Sequence, residues 1–154
     1  MAGLVVNNTE KIIRENGPDL IRSQYWEDNV PKGQQPGWKD RLQSAAGPHK
    51  SGGDPHIAGR ALDIILFADK TNERLTAERI VSAFLNLREQ MKWISVIYNG
   101  SEWNKFGGKM PRGGDAINRH VTHIHIEWDS ADINLTGFED ALAAELMNIP
   151  DTYE

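Results

Sequence analysis

The sequence of 154 residues predicts an α+β domain, in which a small, mostly antiparallel sheet is flanked by helices. Short apolar runs at residues 60–67, 93–98 and 121–128 have the length of strands, and a stretch with helical periodicity separates the first two. Amphipathic stretches near both ends predict further helices. The chain contains 39% hydrophobic residues and five Trp, which is enough for the core of one compact domain.

The N-terminal part predicts two helices. Asn8 or Thr9 can cap a helix over residues 10–16, which Gly17 and the following Pro stop. A second helical segment is expected from residue 19 to about residue 28. It would bury Leu20, Ile21, Tyr25 and Trp26.

A long loop is expected next. Residues 29–55 are rich in Gly, Pro, Gln, Ser and Lys, and a helical turn is expected at residues 38–45. The run at 60–67 is apolar almost throughout, which is typical of a central strand with both faces buried. Thr76 is expected to cap a helix that ends near Met91. Its apolar positions at helical spacing are Ile80, Phe84, Leu87 and Met91.

The second half predicts a hairpin, a loop, a strand and a helix. The run at 93–98 is followed by an Asn-Gly turn, and residues 102–106 are expected to return as its partner strand. Residues 107–118 predict a Gly-rich, basic loop, and 121–128 alternate as a third strand. An amphipathic helix over 138–147 closes the chain. Its buried positions are Phe138, Leu142 and Leu146.

Composition excludes several classes of function. The formal net charge of −5 argues against nucleic acid as the main partner, because phosphate binding needs a basic face. The absence of cysteine excludes disulfides, thiolate zinc ligands and a Cys nucleophile. No apolar run approaches the ~18 residues of a membrane span. The first eight residues lack the basic and apolar segments of a signal peptide, so synthesis in the cytoplasm without one is expected.

Four of the five histidines fall within two short segments, 56–63 and 120–125. On the third strand, alternation places His123, His125 and Glu127 on one face and the apolar residues between them on the other. Asp63 lies inside the apolar run of the first strand, where a carboxylate needs a cation or strong hydrogen bonds. These polar groups in apolar surroundings indicate a metal site.

The expected metal is one Zn²⁺ per chain, with His56, Asp63 and His125 as ligands. Three N/O ligands leave a fourth position open for water, which is the layout of catalytic zinc. His123 is then placed to take the proton of that water and return it to a leaving amine. His120 is a candidate for stabilising the oxyanion or orienting substrate, and the sequence leaves open which of these two histidines is the base.

The motifs resemble a family of zinc peptidases. The segment Asp54-Pro-His56-Ile-Ala-Gly59-Arg-Ala-Leu-Asp63 is similar to the Ser-x-His-x-x-Gly-x-Ala-x-Asp motif of D-Ala-D-Ala carboxypeptidases. His123-Ile-His125 resembles the His-x-His motif of the group that joins these enzymes with lysostaphin and hedgehog proteins. With His120 included, the arrangement looks most like penicillin-insensitive murein endopeptidase.

The resemblance implies a hedgehog/DD-peptidase-like fold, zinc ligation by His56, Asp63 and His125, and active-site roles for His120 and His123. It covers roughly residues 40–128 of a single domain, 1–154, which divides into 1–39 (N-terminal helices and loop), 40–128 (catalytic core) and 129–154 (C-terminal helix). The carboxypeptidase branch carries a catalytic acid where this chain has Thr122, a departure that favours the endopeptidase-like branch.

The function that the resemblance implies is zinc-dependent cleavage of peptidoglycan stem-peptide or crosslink bonds. Arg60 and Arg112 are candidates for binding a substrate carboxylate. Without a signal peptide, the enzyme would reach the periplasm or cell wall after lysis, as a phage lysin, or through a secretion system, as an antibacterial effector with a carrier and an immunity protein. Two alternatives stay open: a metal-containing binding module without catalysis, and a zinc hydrolase of another small peptide or amide.

Overall fold

A six-stranded antiparallel sheet forms the centre of the computed structural model, which describes residues 4–25, 31, 33, 40–44, 59–130 and 137–153. The strands are β1 (Leu42–Gln43), β2 (Ala61–Ile65), β3 (Ser95–Tyr98), β4 (Ser101–Asn104), β5 (Lys109–Pro111) and β6 (His123–Glu127). The helices are α1 (Leu4–Asn16), α2 (Thr71–Asn86), α3 (Arg88–Met91), α4 (Ala116–Arg119) and α5 (Glu139–Met147), with a 3-10 turn at Asp19–Arg22.

The order of strands across the sheet is β1-β2-β6-β3-β4-β5, and every neighbouring pair is antiparallel. The predicted α+β class with an antiparallel sheet is therefore confirmed. β2 and β6 pair in the middle although they are far apart in sequence. This pairing brings Asp63 of β2 next to the histidines of β6.

One face of the sheet carries the core. Because side chains alternate along a strand, Leu62, Ile64, Ile124 and Ile126 point to a common side, where all four are fully buried. The core also contains the apolar faces of α1, α2 and α5. Its residues from these helices include Val6, Ile13, Ile80, Phe84, Leu142 and Leu146. The opposite face of the central strands carries Asp63, His123, His125 and Glu127 among a few apolar side chains. No helix in the described part of the chain is long and apolar enough to cross a membrane.

The predicted start of the first helix is wrong. Neither Asn8 nor Thr9 caps α1, because both lie inside a helix that already includes Leu4. Thr9 is buried, and its hydroxyl donates a hydrogen bond of 2.7 Å to the carbonyl oxygen of Val5 one turn earlier. The end is as expected: α1 stops at Asn16, and Gly17 follows with its N–H bonded to the Ile13 carbonyl at 2.8 Å.

The expected second helix over residues 19–28 is reduced to the 3-10 turn at Asp19–Arg22. Ser23 is extended, with ψ of 161°, and its N–H already bonds to the Leu20 carbonyl, so the helix cannot continue. Ile21 is buried as predicted, Leu20 packs against the core, and Tyr25 is only half-buried. Trp26 lies outside the described residues.

The prediction of a helical turn at residues 38–45 is also wrong for residues 40–44, the part of this segment that the structure describes. Leu42 and Gln43 form the edge strand β1, which pairs with Ile64 and Asp63 of β2. The rest of the predicted loop over 29–55, including most of that turn, lies outside the described residues. β2 is consequently an inner strand, as its apolar run predicts.

Thr76 does not cap the second helix. The helix begins at Thr71, after the extended Lys70, and Thr76 is buried in its interior. It ends at Asn86, and the short α3 then continues to Met91. The predicted apolar stripe is confirmed, since all four of its residues are buried. They are Ile80, Phe84, Leu87 and Met91.

The hairpin between β3 and β4 is as predicted. Asn99 and Gly100 both have positive φ, 46° and 82°, which a two-residue turn of this kind requires. The segment 107–118 is more ordered than the predicted loop, because it contains β5 and α4. The third strand lies within the predicted run, and α5 begins one residue after Phe138 and buries the three predicted apolar residues.

Candidate active site

The pairing of β2 with β6 places Asp63 directly opposite His125. The alternation predicted for β6 is confirmed, because Ile124, Ile126 and Trp128 are fully buried on the core side. His123, His125 and Glu127 therefore share the other face with Asp63. The sheet thus collects, from two distant segments, the carboxylate and two of the histidines that the sequence singles out.

The contacts within this group are short. Oδ1 of Asp63 lies 3.1 Å from Nδ1 of His125 and 3.8 Å from Nε2 of His123. The His125 side chain is 9% exposed, whereas the side chains of Asp63 and His123 are each 21% exposed. Asp63 therefore lies between the two imidazoles at the border between the buried sheet and solvent.

The second ring nitrogen of His125 faces another carboxylate. Nε2 lies 3.0 Å from Oε1 of Glu127, and the other oxygen of Glu127 accepts a hydrogen bond of 2.8 Å from Arg60. Arg60 also donates to the backbone carbonyl of Trp128 at 3.0 Å. The guanidinium group therefore fixes Glu127, and Glu127 fixes the imidazole ring of His125.

These carboxylates determine the protonation of His125. Burial alone lowers the pKa of His125, but the hydrogen bonds and negative charges of Asp63 and Glu127 outweigh burial and raise the pKa to about 9. Burial alone raises the pKa of Glu127, but the hydrogen bonds to His125 and Arg60 bring it below its usual value. In the metal-free protein the protonated imidazole of His125 thus donates one N–H to each carboxylate, and a bound divalent cation would take the place of that positive charge.

His120 completes the cluster from a strained position before β6. It has a positive φ of 56°, and its ring centroid lies 4.8 Å from that of His123 and 5.5 Å from that of His125. Its Nδ1 lies 3.0 Å from the backbone oxygen of Asn118. Because a carbonyl only accepts, Nδ1 carries the hydrogen and Nε2 of neutral His120 is an acceptor.

The surroundings of His120 keep it neutral. Burial, followed by the charge of His123, lowers the pKa of His120 to about 4. On the other side of the cluster, the hydroxyl oxygen of Thr122 lies 3.0 Å from Nδ1 of His123. Both histidines outside the predicted ligand set are therefore held through Nδ1, and Nε2 of His123 lies on the side of Asp63.

Asp63 and His125 supply oxygen and nitrogen donors of the kind that zinc accepts. Two ligands of one tetrahedral Zn²⁺, at about 2.0–2.1 Å each, lie roughly 3.3 Å apart. Asp63 and His125 are 3.1 Å apart, a separation that a hydrogen bond between them also gives. His56, the third predicted ligand, lies outside the described residues. Among the described residues alone, no three His, Asp or Glu side chains are arranged to hold a metal ion.

A cleft of about 500 Å³ opens beside the cluster. Its lining residues are Ile94, Ser95, Ile97, Glu102, Arg112, His120, His125 and Glu127. Arg112 donates a hydrogen bond of 2.8 Å to Glu102 and another to the Asn118 carbonyl. Arg112, one of the two predicted carboxylate-binding residues, therefore lies in the cleft, whereas Arg60 lies behind Glu127.

Glu102 is a cleft residue that the sequence analysis missed. A two-residue turn at Asn99 and Gly100 fixes the hairpin register, which pairs Glu102 with Ile97, and Ile97 is opposite His125. Counting from the Asn-Gly turn in both directions pairs Glu102 with Ile97, and so places Glu102 in the same row of side chains across the sheet as His125. The turn was the available signal.

The chain was compared with protein-family models, with curated proteins and with solved structures, and none of them matches it. The resemblance to the murein peptidase group therefore stays a prediction from the two sequence motifs.

Proposed function

We propose that this protein is a zinc-dependent peptidoglycan peptidase, an endopeptidase of stem-peptide or crosslink bonds, with a hedgehog/DD-peptidase-like fold. The observation that carries the proposal is the convergence of Asp63, His123 and His125 on one face of the sheet, with His120 against them. The Asp63 carboxylate and the His125 imidazole lie side by side, and the ring of His120 lies within 6 Å of the rings of His123 and His125. Metal donors with additional histidines beside them suit hydrolysis better than structural metal binding.

The residues that would hold the metal are Asp63, His125 and His56. When bound, zinc would lower the pKa of a water molecule to about 7 and polarise a scissile carbonyl. His123, adjacent to Asp63, takes the proton of the attacking water and returns it to the leaving amine. His120, neutral and with Nε2 as an acceptor, orients the water or an N–H group of the substrate.

Thr122 supports an endopeptidase over a carboxypeptidase. It stands where the carboxypeptidase branch has a catalytic acid, and its hydroxyl contacts His123 instead. A hydroxyl cannot supply a titratable proton near neutral pH, so proton transfer falls to His123. Under this proposal the chain acts in the periplasm or cell wall, as a phage lysin or a delivered antibacterial effector.

The test is a digest of purified peptidoglycan, followed by mass spectrometry of the released fragments. Three samples are compared: zinc-loaded protein, chelated protein and zinc-loaded His123→Ala. New peptide termini that arise only with the zinc-loaded wild type would support the proposal and name the bond. If all three samples leave every peptide bond intact while the wild type binds one zinc per chain, the peptidase function is wrong, and a binding module or another amide substrate becomes the better account.

A further inference from the structure

A second pocket adjoins the candidate active site. It has a volume of about 610 Å³, and it shares Ile94 with the cleft that contains His120 and His125. Ile94 precedes β3, so the two depressions meet at the start of a central strand. Ile94 therefore lines both depressions.

Three cations from two parts of the chain line this pocket. Arg88 belongs to α3, Lys92 follows the end of that helix, and Lys105 lies between β4 and β5. Within the described residues none of the three forms an ion pair, whereas Arg60 and Arg112 at the active site both do. Glu89 and Asp129 also line the pocket, so the formal charge of its lining is +1 in a chain of net charge −5.

An exposed aromatic ring forms one edge of the pocket. Phe106 is 79% exposed, and Nζ of Lys105 lies 5.4 Å from the centre of its ring. The turn that carries Phe106 is held by Asn104, whose side-chain oxygen accepts hydrogen bonds from the N–H groups of Phe106 and Gly108 at 2.9 and 3.0 Å. The ring is thus presented to solvent by a hydrogen-bonded turn.

We infer that this pocket is a subsite for the second peptide chain of a crosslinked peptidoglycan substrate, whose carboxylates bind Arg88, Lys92 and Lys105. The inference rests on the proposed function. An endopeptidase that cuts crosslinks must accommodate peptide on both sides of the scissile bond, whereas a single stem peptide needs the cleft alone. The pocket shares Ile94 with the cleft, and its three cations form no ion pair with any residue that the structure describes. Both features suit an anionic peptide that continues from one depression into the other.

The test compares the binding of two purified muropeptides, an uncrosslinked monomer and a crosslinked dimer, by isothermal titration calorimetry. The full chain is zinc-loaded and carries His123→Ala, so that binding is measured without turnover. The pocket variant adds Arg88→Gln, Lys92→Gln and Lys105→Gln. The charge-matched control adds Lys11→Gln, Arg79→Gln and Lys109→Gln, which neutralise three exposed cations outside the pocket.

The pocket variant is expected to bind the dimer about tenfold more weakly than the control, because three charge contacts to the ligand are removed. Its affinity for the monomer should stay within about twofold. Equal dimer binding by the two variants, equal losses for monomer and dimer, or no dimer binding by the parent protein would each overturn the inference. Failure of the proposed function is separate: the wild type would then leave crosslinks uncut even though the pocket variant loses dimer affinity.

Discussion

Asp63 and His125 face each other across β2 and β6, with Oδ1 of the first 3.1 Å from Nδ1 of the second. The two residues are 62 positions apart in the sequence, and the antiparallel pairing of the two strands places them opposite each other. A donor pair held by two inner strands is more rigid than one held by loops, which is the support that a metal centre requires.

The first prediction concerns this pair. Asp63→Asn removes the negative charge while keeping the size of the side chain. We therefore expect zinc affinity to fall by more than about 100-fold, which exceeds the loss expected when a residue that only hydrogen-bonds to a metal ligand is replaced. Glu102→Gln is the matched control, since Glu102 lies on the same face in the same row across the sheet. Competition with a chromophoric chelator measures both affinities. Equal zinc affinity in Asp63→Asn and the control would remove Asp63 from the metal centre.

The second prediction concerns Arg60 and Glu127, which hold the ring of His125. Glu127→Ala should lower zinc affinity about 10- to 100-fold, because the imidazole loses the partner that orients it. Arg60→Met should have a smaller effect of the same sign. Since Arg60 acts through Glu127, the double variant should lose little more than Glu127→Ala alone. Additive losses in this double-mutant cycle would show that Arg60 acts by another route, such as direct contact with substrate.

The third prediction concerns a buried ion pair away from the site. Arg41 and Glu73 are 2.7 Å apart and both nearly buried, and Arg41 also donates to the Ile65 carbonyl. Glu73→Gln leaves the guanidinium buried without its counter-charge, so we expect a loss of roughly 3–5 kcal/mol in the free energy of unfolding. Urea denaturation measures this loss. The exposed pair of Asp19 and Arg22 is the control, and Asp19→Asn should change stability by less than about 1 kcal/mol.

The fourth prediction is a pH dependence of stability. The hydroxyl of Tyr98 donates to the Leu66 carbonyl inside the core, and burial, followed by the charge of Glu73, raises its pKa well above the usual 10. Because the folded pKa lies above the unfolded one, this contribution to stability is complete below pH 10 and declines as the pH rises above it.

Tyr98→Phe tests that dependence. The variant should be about 1–2 kcal/mol less stable at neutral pH, because the Leu66 carbonyl loses its partner. Its stability should then fall less steeply than that of the wild type above pH 10, where the wild type loses the Tyr98 contribution. Thermal unfolding over a series of pH values measures both effects. Parallel curves for the two proteins would contradict the assignment.

The central strands follow from the sequence because they have apolar runs of strand length, and the face of the candidate site follows from the period-2 pattern of β6. In β6, the alternation of His123, His125 and Glu127 with buried Ile and Trp fixes the faces without knowledge of the pairing. The Asn-Gly turn similarly fixes the β3–β4 hairpin. Such local signals do not depend on the rest of the fold.

The missed elements depend on tertiary contacts. The two residues of β1 are too short for a pattern, and β5 is exposed throughout, so neither has an alternation that predicts a strand. The start of α2 was misplaced because Thr76 has the chemistry of a cap, yet it is buried inside the helix. The pairing of Arg60 with Glu127 likewise depends on the register of β2 against β6, which no local motif specifies.

The most direct test of the central claim is a zinc titration of the chelated protein, with cleavage of purified peptidoglycan as the readout. At each point the zinc bound per chain and the number of new peptide termini are measured together. The account predicts that cleavage rises in proportion to bound zinc and levels off at one zinc per chain, and that Asp63→Asn stays inactive at the same zinc concentrations. Cleavage that is already complete in the chelated protein, or absent at full zinc occupancy, would contradict it.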